Sequence, residues 1–167
     1  MSLQQSIVLS PLTMGQLHDI AVGNTLLIHG LTIADGAVPP PRVAMRALQQ
    51  LKDGCAPEWV VPFHIVDLSI QTIVGGCTFK GLPANGSVEI GYGVAPSHQR
   101  RGYASAAVLQ MLAIAAGSGQ VDEVVALVAD DNPASAGVVN RAGFSRGDTI
   151  TDDEGEELVR WYRRCVV

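Results

Sequence analysis

The stretch from Ser87 to Ala116 constrains the fold of this chain more than any other. Its first part alternates between apolar residues and small or acidic ones, and the apolar set is Val88, Ile90, Tyr92 and Val94. This alternation predicts a half-buried strand with its apolar residues on one face. The opposite face carries Glu89 and the two glycines Gly91 and Gly93, so we expect a ligand or another backbone segment to approach it closely. Apolar residues then recur with helical spacing and predict an amphipathic helix over the rest of the stretch.

The turn between the predicted strand and helix combines a glycine with two adjacent arginines. Its residues are Gln99, Arg100, Arg101, Gly102, Tyr103 and Ala104. Glycine at this place lets the backbone approach a ligand, and the unpaired N–H groups of a helix that starts near Arg101 attract anions such as phosphate. The arginines add positive charge at the same place. From the turn alone, a site for a phosphorylated ligand and a solvated basic turn are equally good interpretations.

Gln-x-x-Gly-x-Ala at positions 99–104, directly after a strand, resembles the acyl-CoA motif of the GCN5-related N-acetyltransferases, the GNAT superfamily. That motif is usually written Gln/Arg-x-x-Gly-x-Gly/Ala. The family's second signature is an Asn after the fifth strand, a short helix and a closing Gly-Phe. Here an apolar run from Val121 to Ala129 precedes Asn132, and Gly143-Phe144 follows at the matching distance. Order and spacing agree over about the last half of the chain.

The resemblance implies an α/β (α+β) fold, a single N-acetyltransferase domain over residues 1–167 with a mixed central sheet of about seven strands flanked by about four helices. The residue patterns support the same order, β-α-α-β-β-β-α-β-α-β-β, independently. The predicted strands are Ile7–Leu9, Trp59–Val66, Ile70–Phe79, Ser87–Val94, Val121–Ala129, Phe144–Ile150 and Glu157–Arg163. The predicted helices are Met14–Val22, Ala44–Leu51, Arg101–Ala116 and Ala134–Arg141. Residues 23–38 show no clear pattern.

Composition argues against several classes of protein. A net charge of -5 disfavours general nucleic-acid binding, which needs a basic face. No uncharged apolar run approaches the about 20 residues that cross a bilayer, and the first residues lack the features of a secretory signal, so we expect a cytoplasmic protein without a membrane partner. The three cysteines and four histidines lack metal-ligand spacing, which predicts no metal site and no disulfide framework.

Transfer of an acetyl group from a thioester to an amine needs a neutral amine, a stabilised oxyanion and a proton for the leaving thiolate. By resemblance to the family, Glu89 takes the ammonium proton, directly or through water; a surface glutamate that pairs with a neighbour is an equally good interpretation. The oxyanion role would fall to a backbone N–H near Gly93 or Val94, where the family's fourth and fifth strands separate and a pantetheine arm can pair with the free strand. Relief of sheet twist is the alternative role of Gly93.

The proton donor is the role with most candidates. Many family members place a tyrosine seven residues after the Asn of the second signature, and this chain has Val139 there. The chain also resembles the Rim-type (RimJ/RimL-like) acetyltransferases, which are thought to use a serine at the position of Ser135. Tyr92 and Tyr103 are less favoured donors. The alternative for Ser135 is a first-turn hydroxyl that satisfies the backbone.

The resemblance therefore implies an acetyl-CoA-dependent N-acetyltransferase that uses no metal. The acetyl group would move to a primary amine of a small molecule or a protein N-terminus by direct attack in a ternary complex. The expected catalytic residues are Glu89 and Ser135. The expected acetyl-CoA-binding residues are Tyr92, Gly93, Val94, Gln99, Arg100, Arg101, Gly102, Tyr103, Ala104 and Asn132, the last of which holds the cofactor arm or caps the short helix. The alternative is a non-catalytic acyl-CoA-binding or regulatory module, which the valine at position 139 favours.

The acceptor amine leaves no motif in the sequence. We expect its pocket to be built from residues 26–50 and from the turn at 152–157. The net charge is compatible with a cationic acceptor, and Asp35, Glu58 and Asp67 could attract one, although solvated surface is the commoner role of such residues. Apolar sequence near the last strand is compatible with a homodimer.

Overall fold

The computed structural model describes Ser2 and residues 6–165. These residues contain a mixed β-sheet of eight strands. The strands are β1 (Ile7–Pro11), β2 (Thr32–Ile33), β3 (Phe63–Asp67), β4 (Thr72–Phe79), β5 (Ser87–Val94), β6 (Glu123–Ala129), β7 (Ser145–Thr151) and β8 (Glu157–Arg164). The α-helices of the same residues are α1 (Met14–Ala21), α2 (Pro41–Lys52), α3 (Tyr103–Gly117) and α4 (Pro133–Arg141). The strand order is β1-β3-β4-β5-β6-β8-β7, and β2 pairs with β4. Neighbours are antiparallel except at β2–β4 and β5–β6.

Helix α3 is the crossover that allows β5 and β6 to lie parallel, since parallel neighbours cannot be joined by a tight turn. Several of its buried residues are small, and the buried set includes Ala106, Ala107, Val108, Met111 and Ala115. They pack with residues of β4, β5 and β6 in the main hydrophobic core. Small side chains let the helix lie close to the sheet, so its first turn has a fixed place beside the end of β5.

Helices α1 and α2 form a second apolar cluster. They pack on each other through Leu17, Ile20, Ala44 and Ala47, which are all nearly inaccessible to solvent. On α2, the Gln50 side chain donates a hydrogen bond to a backbone carbonyl just after β4, over 3.2 Å. This bond ties the helix to the sheet, and the polar side of α2 is left to face solvent or a ligand.

The pairing of β5 with β6 covers only half of β5. It runs from Ser87 opposite Glu123 to Ile90 opposite Ala126 and ends there within the described residues. Strand β5 stays paired with β4 as far as Val94, while β6 continues beside β8. The two strands therefore separate after Ile90, and a gap opens between their carboxyl-terminal halves.

The predicted architecture of a mixed sheet with four helices is confirmed. The family order of elements also holds, with one addition: the two-residue strand β2 lies inside residues 23–38, which show no clear residue pattern. So short a strand cannot show an alternation, because it has only one residue on each face.

Several predicted boundaries were wrong. Trp59 is not in a strand, because Pro57–Trp59 forms a 3-10 helix and β3 begins only after Pro62, which cannot donate a ladder hydrogen bond. Helix α3 begins at Tyr103 rather than near Arg101, because Gly102 has a left-handed φ of 86°. Strand β6 begins at Glu123, two residues after the predicted start.

Candidate active site

Two cavities meet at the end of β5. The first, of about 630 Å³, is called the turn cavity here; it is lined by residues 92–94, 98–100, 102–105, 132–135, 137, 138 and 141. The second, of about 370 Å³, is called the sheet cavity; it is lined by residues 36–40, 42, 43, 46, 62, 76–78, 80 and 91–94. Both include Tyr92, Gly93 and Val94. A molecule in one cavity can therefore touch a molecule in the other only across these three residues.

The hydrogen bonds of β5 show which backbone amides face the gap. The amide of Lys80 donates to the carbonyl of Glu89, and the amide of Ala95 donates to the carbonyl of Val74. Since N–H and C=O groups alternate sides along a strand, Gly93 also faces β4, whereas Tyr92 and Val94 face the side from which β6 has departed. Of the two expected oxyanion donors, only the Val94 amide faces the gap, and the Tyr92 amide faces it as well. Gly93 instead contributes space, because a Cβ there would meet nothing within 4 Å.

The turn after β5 exposes the start of α3 to the turn cavity. Arg100 and Gly102 both have left-handed φ values, 62° and 86°, and no side chain caps the helix. The backbone N–H groups of residues 103–105 have no acceptor in the described part of the chain. Ser105 also lines this cavity, but its hydroxyl is buried from solvent and has no partner among the residues described. Free amides at a helix start fit a phosphate group.

The predicted residues of this turn have different roles. Gln99 uses its side chain internally, because its Nε2 donates to the carbonyl of Val94 over 3.0 Å. Arg100 lines the turn cavity, while Arg101 is exposed and lies outside the lining. Ala104 lines it as well. The motif therefore supplies backbone donors and one cation, rather than two.

Tyr103 anchors the turn to the sheet. Its hydroxyl donates to Oδ2 of Asp67 over 2.7 Å, and both residues are buried. Burial alone would raise the pKa of Asp67, but hydrogen bonds from Ser69, Tyr103 and Ser6 hold it below its ordinary value. Burial and the same hydrogen bond raise the pKa of Tyr103. A phenol bound in this way supports the fold of the turn and is a poor proton donor to a ligand. This agrees with the sequence analysis, in which Tyr103 is a less favoured proton donor.

A pair of hydroxyls spans the gap between β5 and α4. The hydroxyl oxygens of Tyr92 and Ser135 lie 2.8 Å apart, and Tyr92 can also donate to the Ser135 carbonyl over 3.1 Å. Burial raises the pKa of Tyr92, although its hydrogen bond with Ser135 opposes part of the rise. The phenol is therefore protonated at neutral pH and can donate. Tyr92 is a less favoured donor in the sequence analysis, because no local pattern indicates its contact with Ser135, which lies 43 positions away along the chain.

The start of α4 holds Ser135 in place. The Asn132 side chain accepts a hydrogen bond from the Ser135 amide over 3.1 Å and so caps the helix. Capping this helix is one of the two roles expected for Asn132. Asn132 also lines the turn cavity. Val139 is completely buried in the core, so the position at which many family members carry a tyrosine does not reach either cavity.

Glu89 forms an ion pair with Lys80, with Nζ and Oε1 2.8 Å apart and each side chain about one third exposed. A glutamate that pairs with a neighbour is the alternative interpretation of Glu89 given in the sequence analysis. Lys80 belongs to the lining of the sheet cavity and Glu89 does not. The lining of the two cavities includes no aspartate or glutamate. A base at Glu89 would therefore act through water from behind Lys80.

Four cationic side chains line the cavities without an individual role in the sequence analysis, although two of them, Arg42 and Arg46, lie within residues 26–50, the segment expected to build the acceptor pocket. Arg42, Arg46 and Lys80 line the sheet cavity, and Arg141 lines the turn cavity. The i, i+4 spacing of Arg42 and Arg46 placed them together on the polar side of α2, but nothing local showed that this side faces β5. Within residues 6–165 no group of three or more His, Cys, Asp or Glu residues could hold a metal ion. Nor does any helix of that part have the length and apolar character needed to cross a membrane.

Comparison with known families agrees with this geometry. A model of the acetyltransferase (GNAT) domain matches residues 37–145, which include β3 to α4 and the lining of both cavities apart from Gly36. The chain belongs to the GNAT acetyltransferase family. The GNAT match ends at the start of β7, so the last two strands are placed by the structure alone.

Individual relatives of this GNAT domain are distant. An uncharacterized N-acetyltransferase of Bacillus subtilis, YjdG, is 36% identical over 98 residues, which cover 58% of this chain and 55% of that protein. The matched region thus spans little more than half of that relative's length. RimL, a ribosomal alpha-N-protein acetyltransferase solved with coenzyme A, superposes with a TM-score of 0.69 at 16% identity, covering 98% of this chain and 96% of its own.

A dodecameric spermidine N-acetyltransferase of Vibrio cholerae superposes with a TM-score of 0.67 at 16% identity, covering 96% of this chain and 94% of its own. Identities this low show a shared fold only. The GNAT fold is therefore common to enzymes whose names give quite different acceptors, and the acceptor of this chain has to be argued from its own sheet cavity.

Proposed function

We propose that this GNAT domain transfers an acetyl group from acetyl-CoA to a primary amine of a small molecule or a protein N-terminus, by direct attack in a ternary complex. The observation that carries the proposal is the meeting of two cavities at Tyr92, Gly93 and Val94. One cavity ends at a helix start with free amides, and the other opens on the glycine face of β5. A thioester and an amine can approach each other only where the two meet.

The turn cavity fits the phosphate-bearing part of acetyl-CoA. The N–H groups of residues 103–105 and the positive end of the α3 dipole would bind the pyrophosphate, with Arg100 beside them. Acetyl-CoA, when bound, supplies the thioester whose carbonyl carbon the amine attacks. The Tyr92 amide, which faces the gap left by β6, would hold the pantetheine arm as a neighbouring strand would.

The residues at the junction would handle charge and protons. The Val94 amide would donate a hydrogen bond to the carbonyl oxygen as it becomes negative. As the amine nitrogen bonds to the carbonyl carbon and the C–S bond breaks, the Ser135 hydroxyl would give its proton to the sulfur. Tyr92 would replace that proton across the 2.8 Å hydrogen bond, because burial keeps its phenol protonated.

The proton released by the amine needs an acceptor. Glu89 remains our proposed base, acting through water, because its carboxylate projects from the same face of β5 as Gly91 and Gly93 and is held beside the sheet cavity by Lys80. Direct acceptance by Glu89 is disfavoured by that ion pair and by its place outside the cavity lining.

A second candidate function is a non-catalytic acyl-CoA-binding module. Two observations favour it: Val139 is buried core, and no carboxylate lines either cavity. Both functions predict binding of acetyl-CoA, and only the first predicts release of CoA thiol when an amine is added.

The deciding experiment uses a thiol-reactive dye with a panel of amino acids, N-terminal peptides, polyamines and aminoglycosides. Acetyl-CoA alone is first shown to raise the melting temperature, because a ligand present at about 100 times its Kd stabilises the native state by about 2.7 kcal/mol. Steady thiol release with at least one amine supports the transferase. A thermal shift without release from any amine would leave the binding module, and the absence of a shift would contradict both.

A further inference from the structure

The sheet cavity has a positively charged wall. Its cationic side chains are Arg42 and Arg46 on α2 and Lys80 after β4. No carboxylate lies in its lining. The whole chain has a net charge of -5, so the sign of this wall is opposite to that of the protein as a whole. A local field of this kind, rather than the net charge, acts on a molecule inside the cavity.

The charge of Lys80 is balanced and those of the two arginines are not. Lys80 is paired with Glu89 at 2.8 Å. Arg42 and Arg46 have neither an ion-pair nor a hydrogen-bond partner among the described residues. Elsewhere, Arg146 and Arg160 are paired with aspartate or glutamate. Two guanidinium groups one helical turn apart are therefore left without an anion where the acceptor would bind.

The expected cationic acceptor finds no support in this cavity. Asp67 is buried and bound to Ser69 and Tyr103, so it is not available to a ligand. Asp35 and Glu58 are exposed and lie outside the cavity lining. A polyamine would place positive charges against Arg42 and Arg46, where the cavity lining offers no carboxylate and the nearby Glu89 is already paired with Lys80. That expectation came from the net charge, which includes the exposed acidic residues of distant loops.

We infer that the acceptor is a primary amine that also carries a carboxylate, which Arg42 and Arg46 bind while the amine lies over Gly91 and Gly93. A guanidinium group binds a carboxylate through two parallel hydrogen bonds, which fixes its orientation as well as its position. The uncapped start of α2, whose dipole is positive, lines the same cavity and adds to the attraction. This inference rests on the proposed acetyltransferase function and names its substrate class.

The size of the cavity limits the acceptor. A volume of about 370 Å³ lies near the lower end of small-molecule sites, so it suits an amino acid or the first residues of a peptide. Both carry the required chemistry: a free amino acid has its own α-carboxylate, whereas a peptide N-terminus would present acidic side chains.

The test compares acceptors that differ only in the carboxylate. L-phenylalanine is paired with 2-phenylethylamine, L-leucine with 3-methylbutylamine, and the C-terminally amidated peptide Ala-Asp-Glu with its isosteric amide counterpart Ala-Asn-Gln; spermidine is the polycation. We expect kcat/KM to be at least about tenfold higher for the carboxylate member of one pair, mainly through KM. The pair that shows the preference distinguishes free amino acids from peptides. The preference should shrink with added salt.

Matched variants assign the preference to residues. Arg42→Gln and Arg46→Gln each remove a charge, keep a helix-forming side chain, and should lower kcat/KM at least about fivefold for the carboxylate member while changing the plain amine less than about twofold. Lys52→Gln is the control, because Lys52 is an exposed cation on the same helix outside the cavity lining. It should change neither acceptor.

Three results would overturn the inference. Preference for spermidine or for the plain amines would do so while leaving the acetyltransferase function intact, and so would a carboxylate preference that survives both arginine substitutions. Acetyl-CoA binding without transfer to any amine would overturn the proposed function itself, and this inference with it. Unchanged melting temperatures of the variants exclude misfolding as the cause of a loss.

Discussion

The two cavities that meet on β5 offer different kinds of groups to a ligand. The turn cavity offers backbone amides at the uncapped start of α3, placed by the left-handed residues Arg100 and Gly102, and it is bordered by the Asn132 cap of α4. The sheet cavity offers charged side chains on α2 and just after β4, and its lining includes four glycines. A site made of backbone can be identified from a short motif, because the motif specifies the backbone conformation itself. A site made of side chains depends on which distant elements come together.

The comparison is tested most strongly by closing the turn cavity. Gly102→Val should abolish the stabilisation by acetyl-CoA and lower kcat/KM by about 100-fold or more, because a branched residue is strained at a φ of 86° and blocks the backbone approach. Thermal shift and thiol release measure the two effects. Gly155→Val is the matched control, with a φ of 82° in the turn between β7 and β8. Equal acetyl-CoA binding by wild type and Gly102→Val would show that the turn is not the phosphate site.

The scaffold that both cavities share should lose stability in acid through His64. This residue is 2% exposed, and burial lowers its pKa from 6.5 to about 4, so only the unfolded chain takes up this proton between those two values. Stability should therefore fall as the pH decreases through this window, by about 3 kcal/mol for this group. Urea unfolding between pH 7 and pH 4 measures it. His64→Leu should reduce the pH dependence of the free energy of unfolding by the contribution of one proton. If the pH dependence is unchanged, the loss of stability comes from other groups.

The hydroxyl pair joins Tyr92, which lines both cavities, to Ser135, which lines the turn cavity, and its removal should affect chemistry rather than binding. Ser135→Ala should lower kcat by about 100-fold with little change in acetyl-CoA affinity. Tyr92→Phe should act on the same proton, so the double variant should lose less than the product of the two single effects. Single-turnover rates measure each loss. Independent, multiplicative losses would contradict a shared relay.

The base proposed beside the sheet cavity should have a smaller effect. Glu89→Gln should lower turnover at neutral pH by about tenfold while acetyl-CoA binding stays intact, because a base that acts through water is only partly replaced by solvent. Glu123→Gln removes another ion-paired strand carboxylate, one outside both cavities, and should leave the rate unchanged. If Glu89→Gln turns over as wild type does, the residue has no part in the mechanism.

The smallest expected effect concerns the support of the turn cavity. Tyr103→Phe removes one of the hydrogen bonds to the buried Asp67 carboxylate and should lower the free energy of unfolding by about 1–2 kcal/mol. Tyr162→Phe removes a hydroxyl that has no hydrogen-bond partner in the described residues and serves as control. Equal stability of the two variants would mean that the turn is held by other contacts.

The sequence predicted the turn cavity better than the sheet cavity, for a physical reason. Residues 99–104 and Asn132 act through local backbone conformation, and short-range spacing specifies that. The Glu89 ion pair depends instead on the register of the β4–β5 hairpin, and the place of Arg42 depends on how residues 36–40 lead from β2 into α2. The proposal of Val94 rather than Gly93 as oxyanion donor needed the hydrogen-bond pattern of β5, which no residue pattern contains.

The lining common to both cavities includes Gly93, and β4 and β5 come so close at Gly75 that a Cβ there would collide with the Gly93 carbonyl. Main-chain groups cannot be exchanged by mutation, so under the proposed function the hydrogen bonds from β5 to the thioester are fixed once the strand is in place. The side chains of α2 can change freely by comparison. Descendants of such an enzyme can thus acquire new acceptors by altering one helix, while their acetyl donor stays the same.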